Sequence, residues 1–408
     1  MSDFETPYSR ANHIPNTSYP AIELKGGCIS NIVAERQQQL DTVLLDISEL
    51  ETVMGNIDNL YMQLVEQRNK IKQSMTFHKG LVSSLWRLPN EILSQIFHLC
   101  LPEDKYLSPA SKQAPMLLTT ICRPWREVAV GTPSLWCRLD VDPSGRDWEK
   151  AVVFYHSWLK RARGIPLSLA FKCWNSSEQR SLLLPYVKQI SSLAIRVYHG
   201  SGNPEHLLKD LPRLPALQEL VVRSSKFSAR MSKSISRLPS TMRSLDISEL
   251  PPFDIKRLAW FNHVWVHLTN VKISICHPDA LLHLLRLCPN LSSLTVRTSF
   301  YEAQILEPFT HANIQSLSFL NHSGEIGCLT ALFNALSLPN LRVFELWHGA
   351  FNQWPHEVSL AFLARSRCSL ESLIVSGRVV MTEVQRAEYI ALIPSLDIVV
   401  APRCQHFS

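Results

Sequence analysis

LTNVKISI, residues 268–275, is the stretch whose reading decides most of this chain. Leu268, Val271 and Ile273 form the pattern apolar-x-x-apolar-x-apolar, and the alternation over its second half is the period of a strand with one buried face. The same pattern occurs at Ile190/Leu193/Ile195, Leu217/Leu220/Val222, Met242/Leu245/Ile247, Leu291/Leu294/Val296, Ile314/Leu317/Phe319, Leu341/Phe344/Leu346 and Leu370/Leu373/Val375. Successive starts lie 23 to 29 residues apart. Between them stand stretches such as PDALLHLLRLCPN and EIGCLTALFNALSLPN, whose apolar spacing suits a helix packed by one face on the strands.

A strand and a helix in each unit of about 20 to 29 residues is the range of leucine-rich repeats, which stack because no single unit can bury its own apolar face. The expected fold over residues 144–408 is therefore an α/β solenoid of irregular leucine-rich repeats. Its irregularity is read three residues beyond each strand, where regular repeats keep Asn or Cys. Here Tyr198, Ser225, Leu250, Cys276, Ser299, His322, Gly349 and Arg378 stand there, and only Cys276 conforms. IPSLDIVV, residues 393–400, reads as a closing strand, and DWEKAVVFYHSWLKRARGIPLSLAF as an atypical opening repeat. In the strand reading, the residues between the apolar positions face the concave side. They include Lys272 and Arg297, then Leu320, Val343, Trp347 and Ile374, an aromatic among aliphatics that suits protein recognition.

Composition narrows the function classes. At 408 residues, 46% hydrophobic and 19% charged, the chain buries large cores, and 13 glycines against 25 prolines disfavour glycine-rich phosphate loops. The net charge of +6 is dispersed, with no basic block for nucleic acid and no apolar run for a membrane span. The start of the chain lacks the pattern of a signal peptide, and residues 1–28 read as a flexible tail. None of the ten cysteines is in C-x-x-C spacing, which predicts reduced thiols in a cytoplasmic or nuclear protein. His263 and His267 are four apart but have no HExxH glutamate and no third ligand nearby. HGSGNPEH, from His199, lacks the Gly-Lys-Ser/Thr of a phosphate loop. Ser108, Ser111 and Lys112 lie in a proline-flanked loop that suits a flexible or phosphorylatable site, and there is no G-x-S-x-G. The expectation is binding without catalysis, cofactor or metal.

Residues 29–78 carry a different period. Leu40, Ile47, Met54, Tyr61 and Arg68 recur every seven residues, as do Val43, Leu50, Ile57, Leu64 and Ile71, giving the seam of a long amphipathic, coiled-coil-like helix. Two fates compete: a homotypic coiled coil, making a homodimer through residues 40–71, or a strut or helix pair within one chain.

Between helix and repeats, residues 80–140 contain LWRLPNEILSQIFHLC (85–100), MLLTTIC (116–122) and RPWREVAVGTPSLWCRL (123–139). Pro89 or Asn90 opens the first helix and Pro102 closes it; Pro124 fits the first turn of a third. Ile92, Leu93, Ile96, Phe97, Leu99, Cys100 and Leu101 form a band wider than the roughly 100° that one core requires. A bundle this small also shares its apolar surface with something else. These residues resemble the F-box: Leu88, Pro89, Glu91, Ile92, Leu93, Ile96 and Phe97 in the first helix, Cys122, Trp125 and Arg126 around the third, and Pro133, Leu135 and Trp136 at its exit. With the long helix and the leucine-rich remainder, the whole resembles F-box proteins of mushroom-forming fungi. The polar loop at 103–115 is a departure, since most F-boxes keep it shorter.

The resemblance implies a substrate-recognition subunit of an SCF-type cullin-RING ubiquitin ligase. Leu88, Pro89, Ile92, Leu93, Ile96, Phe97, Cys122, Trp125, Leu135 and Trp136 would supply the Skp-type adaptor surface, and the solenoid would hold a protein substrate. The alternatives are a non-catalytic scaffold that binds the adaptor outside a ligase, and a coiled-coil assembly protein.

Overall fold

The computed structural model describes residues 26–82, 88–142, 148–172, 176–197, 208–209, 211–298, 300, 305–321, 326–348, 354–377 and 381–402. Most of the 1–28 tail, the 199–206 loop and ladder positions Tyr198, Ser299, His322, Gly349 and Arg378 lie outside them. The chain divides into two compact units, Met1–Leu88 and Pro89–Ser408.

In the first unit, one helix, α1, runs from Gly26 to Val82, about 85 Å at 1.5 Å per residue. No proline interrupts it, and i,i+4 partners such as Glu66 and Lys70 (2.7 Å) brace its surface.

The second unit begins with α2 (Asn90–Leu99), α3 (Leu118–Ile121) and α4 (Arg123–Gly131). Pro124 occupies the first turn of α4, where its missing N–H costs nothing. After a single turn at Pro133–Trp136 the chain enters a sheet at β1 (Arg138–Val141). The strands that follow are β2 (Leu167–Lys172), β3 (Ile190–Arg196), β4 (Glu219–Arg223), β5 (Ser244–Ile247), β6 (Asn270–Ile275), β7 (Ser293–Thr298), β8 (Phe309–Thr310), β9 (Ser316–Asn321), β10 (Leu336–Ser337), β11 (Val343–His348), β12 (Ser372–Gly377) and β13 (Asp397–Pro402). β8 and β10 pair by themselves; the other eleven form one parallel sheet in sequence order. All eight strands expected from the apolar pattern are present, and β1 starts inside the segment read as the helical bundle.

The register explains the pattern. Along one face, Leu139, Leu169, Leu193, Leu220, Leu245, Val271, Leu294, Leu317, Phe344, Leu373 and Ile398 stand side by side across all eleven strands. Every one of them is buried. A second row, from Val141 through Ile273 to Val375, runs beside it and is likewise buried. Connections in a parallel sheet are right-handed, so a monotonic strand order brings the helices to one face. Helices Pro278–Leu287, Ile326–Ala335, His356–Ser366 and Glu383–Leu392 accordingly pack each on the next.

Just before the strands, a relay of backbone hydrogen bonds joins the segments that enter neighbouring strands. The N–H groups of Gln218, Arg243, Thr269, Ser292, Gln315, Arg342, Glu371 and Asp397 donate in turn to the carbonyls of Ser191, Gln218, Arg243, Thr269, Ser292, Gln315, Arg342 and Glu371, at 2.7–3.0 Å. Asn290, Asn313 and Asn340 add side-chain donors to the carbonyls of Val266, Pro289 and Ala312. Polar groups that a turn would leave unpaired are thereby satisfied by the segment before the preceding strand.

Candidate functional site

The side chains of α2 divide by helical spacing. Leu93 and Phe97, one turn apart, point inward, and the Phe97 ring meets Trp125 of α4 with centroids 5.0 Å apart. Ile92, 41% exposed, half-buried Ile96 and Leu99, 87% exposed, follow each other at the spacing of another face. Pro89, at the N-cap, is exposed, Leu88 is half-buried, and Leu117 and Ile121 add exposed aliphatics around α3. The helices are tied by Arg126 Nε donating to the Thr119 carbonyl (2.7 Å) and by the Ser134 hydroxyl with His98 (2.8 Å).

Four residues expected at the adaptor surface are core. Leu93, Phe97, Leu135 and Trp136 are buried within the chain's own packing. Trp136 donates through Nε1 to the Ala129 carbonyl (2.8 Å), lies edge-on to Trp158 at 4.9 Å and carries the Arg161 guanidinium over its ring. Trp158 in turn donates to the Trp136 carbonyl (3.0 Å). The band around the first helix is wide because it has two faces, one used internally and one turned outward. Cys122 and Trp125 are half-buried. Sequence reasoning passed over Leu99, Leu117 and Ile121; the first belonged to the apolar band, but its outward direction depends on where α4 packs.

The long loop at 103–115 lies on the open face of the sheet, opposite the aliphatic rows. Tyr106 packs on Ala170, Ala194 and Val221, the centres of β2, β3 and β4, and its hydroxyl meets the Ser192 hydroxyl at 3.2 Å. Lys105 pairs with Glu219, Arg138 Nη1 donates to the Asp104 carbonyl (2.9 Å), and the Asp140 N–H donates to the Leu107 carbonyl (2.9 Å). Burial pushes the Tyr106 hydroxyl above its usual pKa despite Ser192, Lys105 and Arg196 around it. Beside the loop, Arg196 pairs with Asp140 at 3.4 Å and Lys172 with Asp142. Burial raises the Asp140 carboxyl above the usual carboxylate range, against the pull of Arg196 and Lys172, and its Oδ1 has no hydrogen-bond partner.

Farther along the same face, Lys272 is exposed, while Arg297, Leu320, Val343, Trp347 and Ile374 are half-buried. Leu320 lies between Arg297 and Trp347 in register, and Ile374 lies beside Glu345, which accepts a 2.7 Å hydrogen bond from Ser318. These positions share one face because they share one parity along the strands. His263 and His267 are exposed, as are Ser108 and Ser111. Among the described residues no cluster of three or more His, Cys, Asp and Glu has metal-binding geometry, and no helix is long and apolar enough to cross a membrane. Cys100, Cys122, Cys137, Cys276, Cys288 and Cys368 are free thiols, with Cys288 pushed up to about 12 by burial.

Helices packed through Phe97 and Trp125, exiting through a buried Leu-Trp pair into a strand, form a unit that can be compared with known families. Residues 85–142 match the F-box-like family. This F-box-like domain therefore spans α2, α3, α4 and β1, and its last strand is also the first strand of the sheet. No curated protein matches the chain. F-box proteins are generally non-catalytic, and F-box domains generally bind Skp-type adaptors of ubiquitin ligases.

Proposed function

We propose that this chain is the substrate-recognition subunit of a cullin-RING ubiquitin ligase, joined to a Skp-type adaptor through the outward face of its F-box-like domain. The observation that carries the reading is the division of α2: Leu93 and Phe97 are consumed by the core, while Pro89, Ile92 and Leu99 remain open to a partner. Exposed aliphatics grouped on a rigid helical platform are the usual anatomy of a protein contact.

The rest of the second unit acts as an irregular leucine-rich solenoid that presents a client protein. Its sequential parallel strands and the relay from Ser191 to Asp397 support this reading. Because Tyr106 and its loop already cover β2–β4, the client surface lies on the later strands, at Lys272, Arg297, Leu320, Val343, Trp347 and Ile374. Fixing a client on the same rigid unit as the adaptor contact holds it near the charged conjugating enzyme, so that transfer becomes effectively intramolecular. The free cysteines fit a reducing compartment, the cytoplasm or the nucleus. The long helix supplies self-association through residues 40–71.

The test is co-purification of a Skp-type adaptor and cullin with full-length protein carrying Ile92→Asp and Leu99→Asp. Loss of both partners with an unchanged melting temperature is expected. Adaptor retained at the wild-type level would refute the assignment of this face, and wild-type protein that recovers adaptor but never cullin would favour a scaffold outside any ligase.

A further inference from the structure

Among the described residues of the first unit, none covers the apolar seam of α1. Leu40, Val43, Ile47, Leu50, Met54, Ile57, Tyr61, Leu64 and Ile71 are each 45–64% exposed along α1. A strip of this length along one helix matches the contact surface of another long helix carrying the same repeat. The charges on α1 decide which way such a partner runs.

Charge is segregated along the helix. From Gly26 to Asp58 there are six acids, Glu35, Asp41, Asp46, Glu49, Glu51 and Asp58, against a single base, Arg36. From Asn59 to Val82 there are four bases, Arg68, Lys70, Lys72 and Lys79, against a single acid, Glu66. Two copies laid parallel would set the acidic halves side by side and the basic halves side by side. Heptad geometry sharpens the conflict. Asp46 and Glu51 flank the seam five residues apart, the positions that face each other across a parallel pair, and Arg68, on the seam itself, would meet its own counterpart. Two copies laid antiparallel set each acidic half against a basic half, and Arg68 then faces an aliphatic seam position of the other type.

We infer that α1 pairs with α1 of a second copy as an antiparallel coiled coil, held by the seam from Leu40 to Ile71 and oriented by the opposed charges of its halves. The orientation rests on the self-association proposed above and adds a geometric consequence. With the two-fold axis near Ile57, the C-terminal ends of the paired helices stand about 75 Å apart at 1.5 Å per residue.

The experiment is light scattering of the full chain at tens of micromolar in low salt, with three charge variants and one seam variant. The wild type is expected at twice the 46.4 kDa of one chain, and Leu50→Glu with Ile57→Glu at one. Asp46→Lys, Glu49→Lys and Glu51→Lys together make the whole helix basic, and should weaken association at least tenfold. Lys70→Glu, Lys72→Glu and Lys79→Glu together make it acidic, and should do the same. Combining all six reverses both halves and should restore the dimer. A monomeric wild type, or a seam variant that still dimerises, would overturn the self-association. A dimer equally strong in all three charge variants would preserve the association and overturn the antiparallel orientation, because reversing both members of a like-charged pair leaves their repulsion unchanged.

Discussion

The long helix and the sheet both carry apolar periods, and they end in opposite states. In α1 the apolar positions recur every three and four residues, and all nine aliphatic or aromatic seam residues are exposed. In the sheet the apolar positions recur every two residues, and the row from Leu139 to Ile398 is buried across eleven strands. A period states which side chains share a face; it does not state what covers that face. The sheet covers its rows with the helices of its own crossovers, which lie between successive parallel strands. The single helix has no such layer in its own sequence.

Substitutions that treat the two regions identically put the contrast at risk. Leu294→Ala, in the middle of the buried row, is expected to cost about 2–5 kcal/mol of unfolding free energy, whereas Leu50→Ala, at the midpoint of the exposed seam, should change the stability of the second unit by less than about 0.5 kcal/mol. Denaturant titration followed by tryptophan fluorescence reads this directly, because none of the ten tryptophans lies in α1. A comparable loss from both changes would mean that the seam is covered within one chain.

A smaller effect probes the loop that joins the F-box-like domain to the sheet. Tyr106→Phe removes only the hydroxyl that meets Ser192 and should cost about 1 kcal/mol. Tyr106→Ala also removes the ring over Ala170, Ala194 and Val221 and should cost more, with faster proteolysis at 103–115 as a second readout. Equal stability in all three proteins would mean that the loop rests on the sheet without holding it.

The smallest expected effect is a dependence on pH. Because burial raises the Asp140 pKa in the folded state, its contribution is favourable when protonated and is lost as pH rises through the raised value. Asp140→Asn should therefore flatten the melting-temperature profile just above the ordinary carboxylate range. An unchanged profile would assign the slope to other carboxylates.

Much of the second unit was legible in the sequence because strand spacing is a local signal. The pattern at Leu268, Val271 and Ile273 leads into a strand at each of the eight places between residues 190 and 375 where it is read as one. Residues 103–115 carry no period, so their polar composition read as an ordinary loop. Their place on β2–β4 depends on one tyrosine finding two alanines and a valine that lie up to 115 residues away in sequence. The start of the sheet at Arg138 was equally hidden. Four residues after a bundle are too short to show an alternation, and β1 is recognisable only through its register with Ser168–Phe171.

The candidate site divides in the same way. The types of Pro89, Ile92, Leu93, Ile96, Phe97 and Leu99 were plain from the letters, but the division into inner and outer members was not. Phe97 turns inward onto the ring of Trp125 with Leu93 buried one turn away, which leaves Ile92 and Leu99 facing out. Likewise, Leu135 and Trp136 look like surface anchors until Trp158 and Arg161 close over the indole.

By itself, the sequence determined the local elements, the faces they carry and the segregation of charge along α1, because each depends on neighbours a few residues apart. Only the tertiary structure decided which faces are spent and which are left open, that one loop lies across the sheet, and that the F-box-like domain lends its last strand to that sheet. Those outcomes depend on which surfaces meet first and best, and a surface made from distant parts of the chain exists only once the chain has folded.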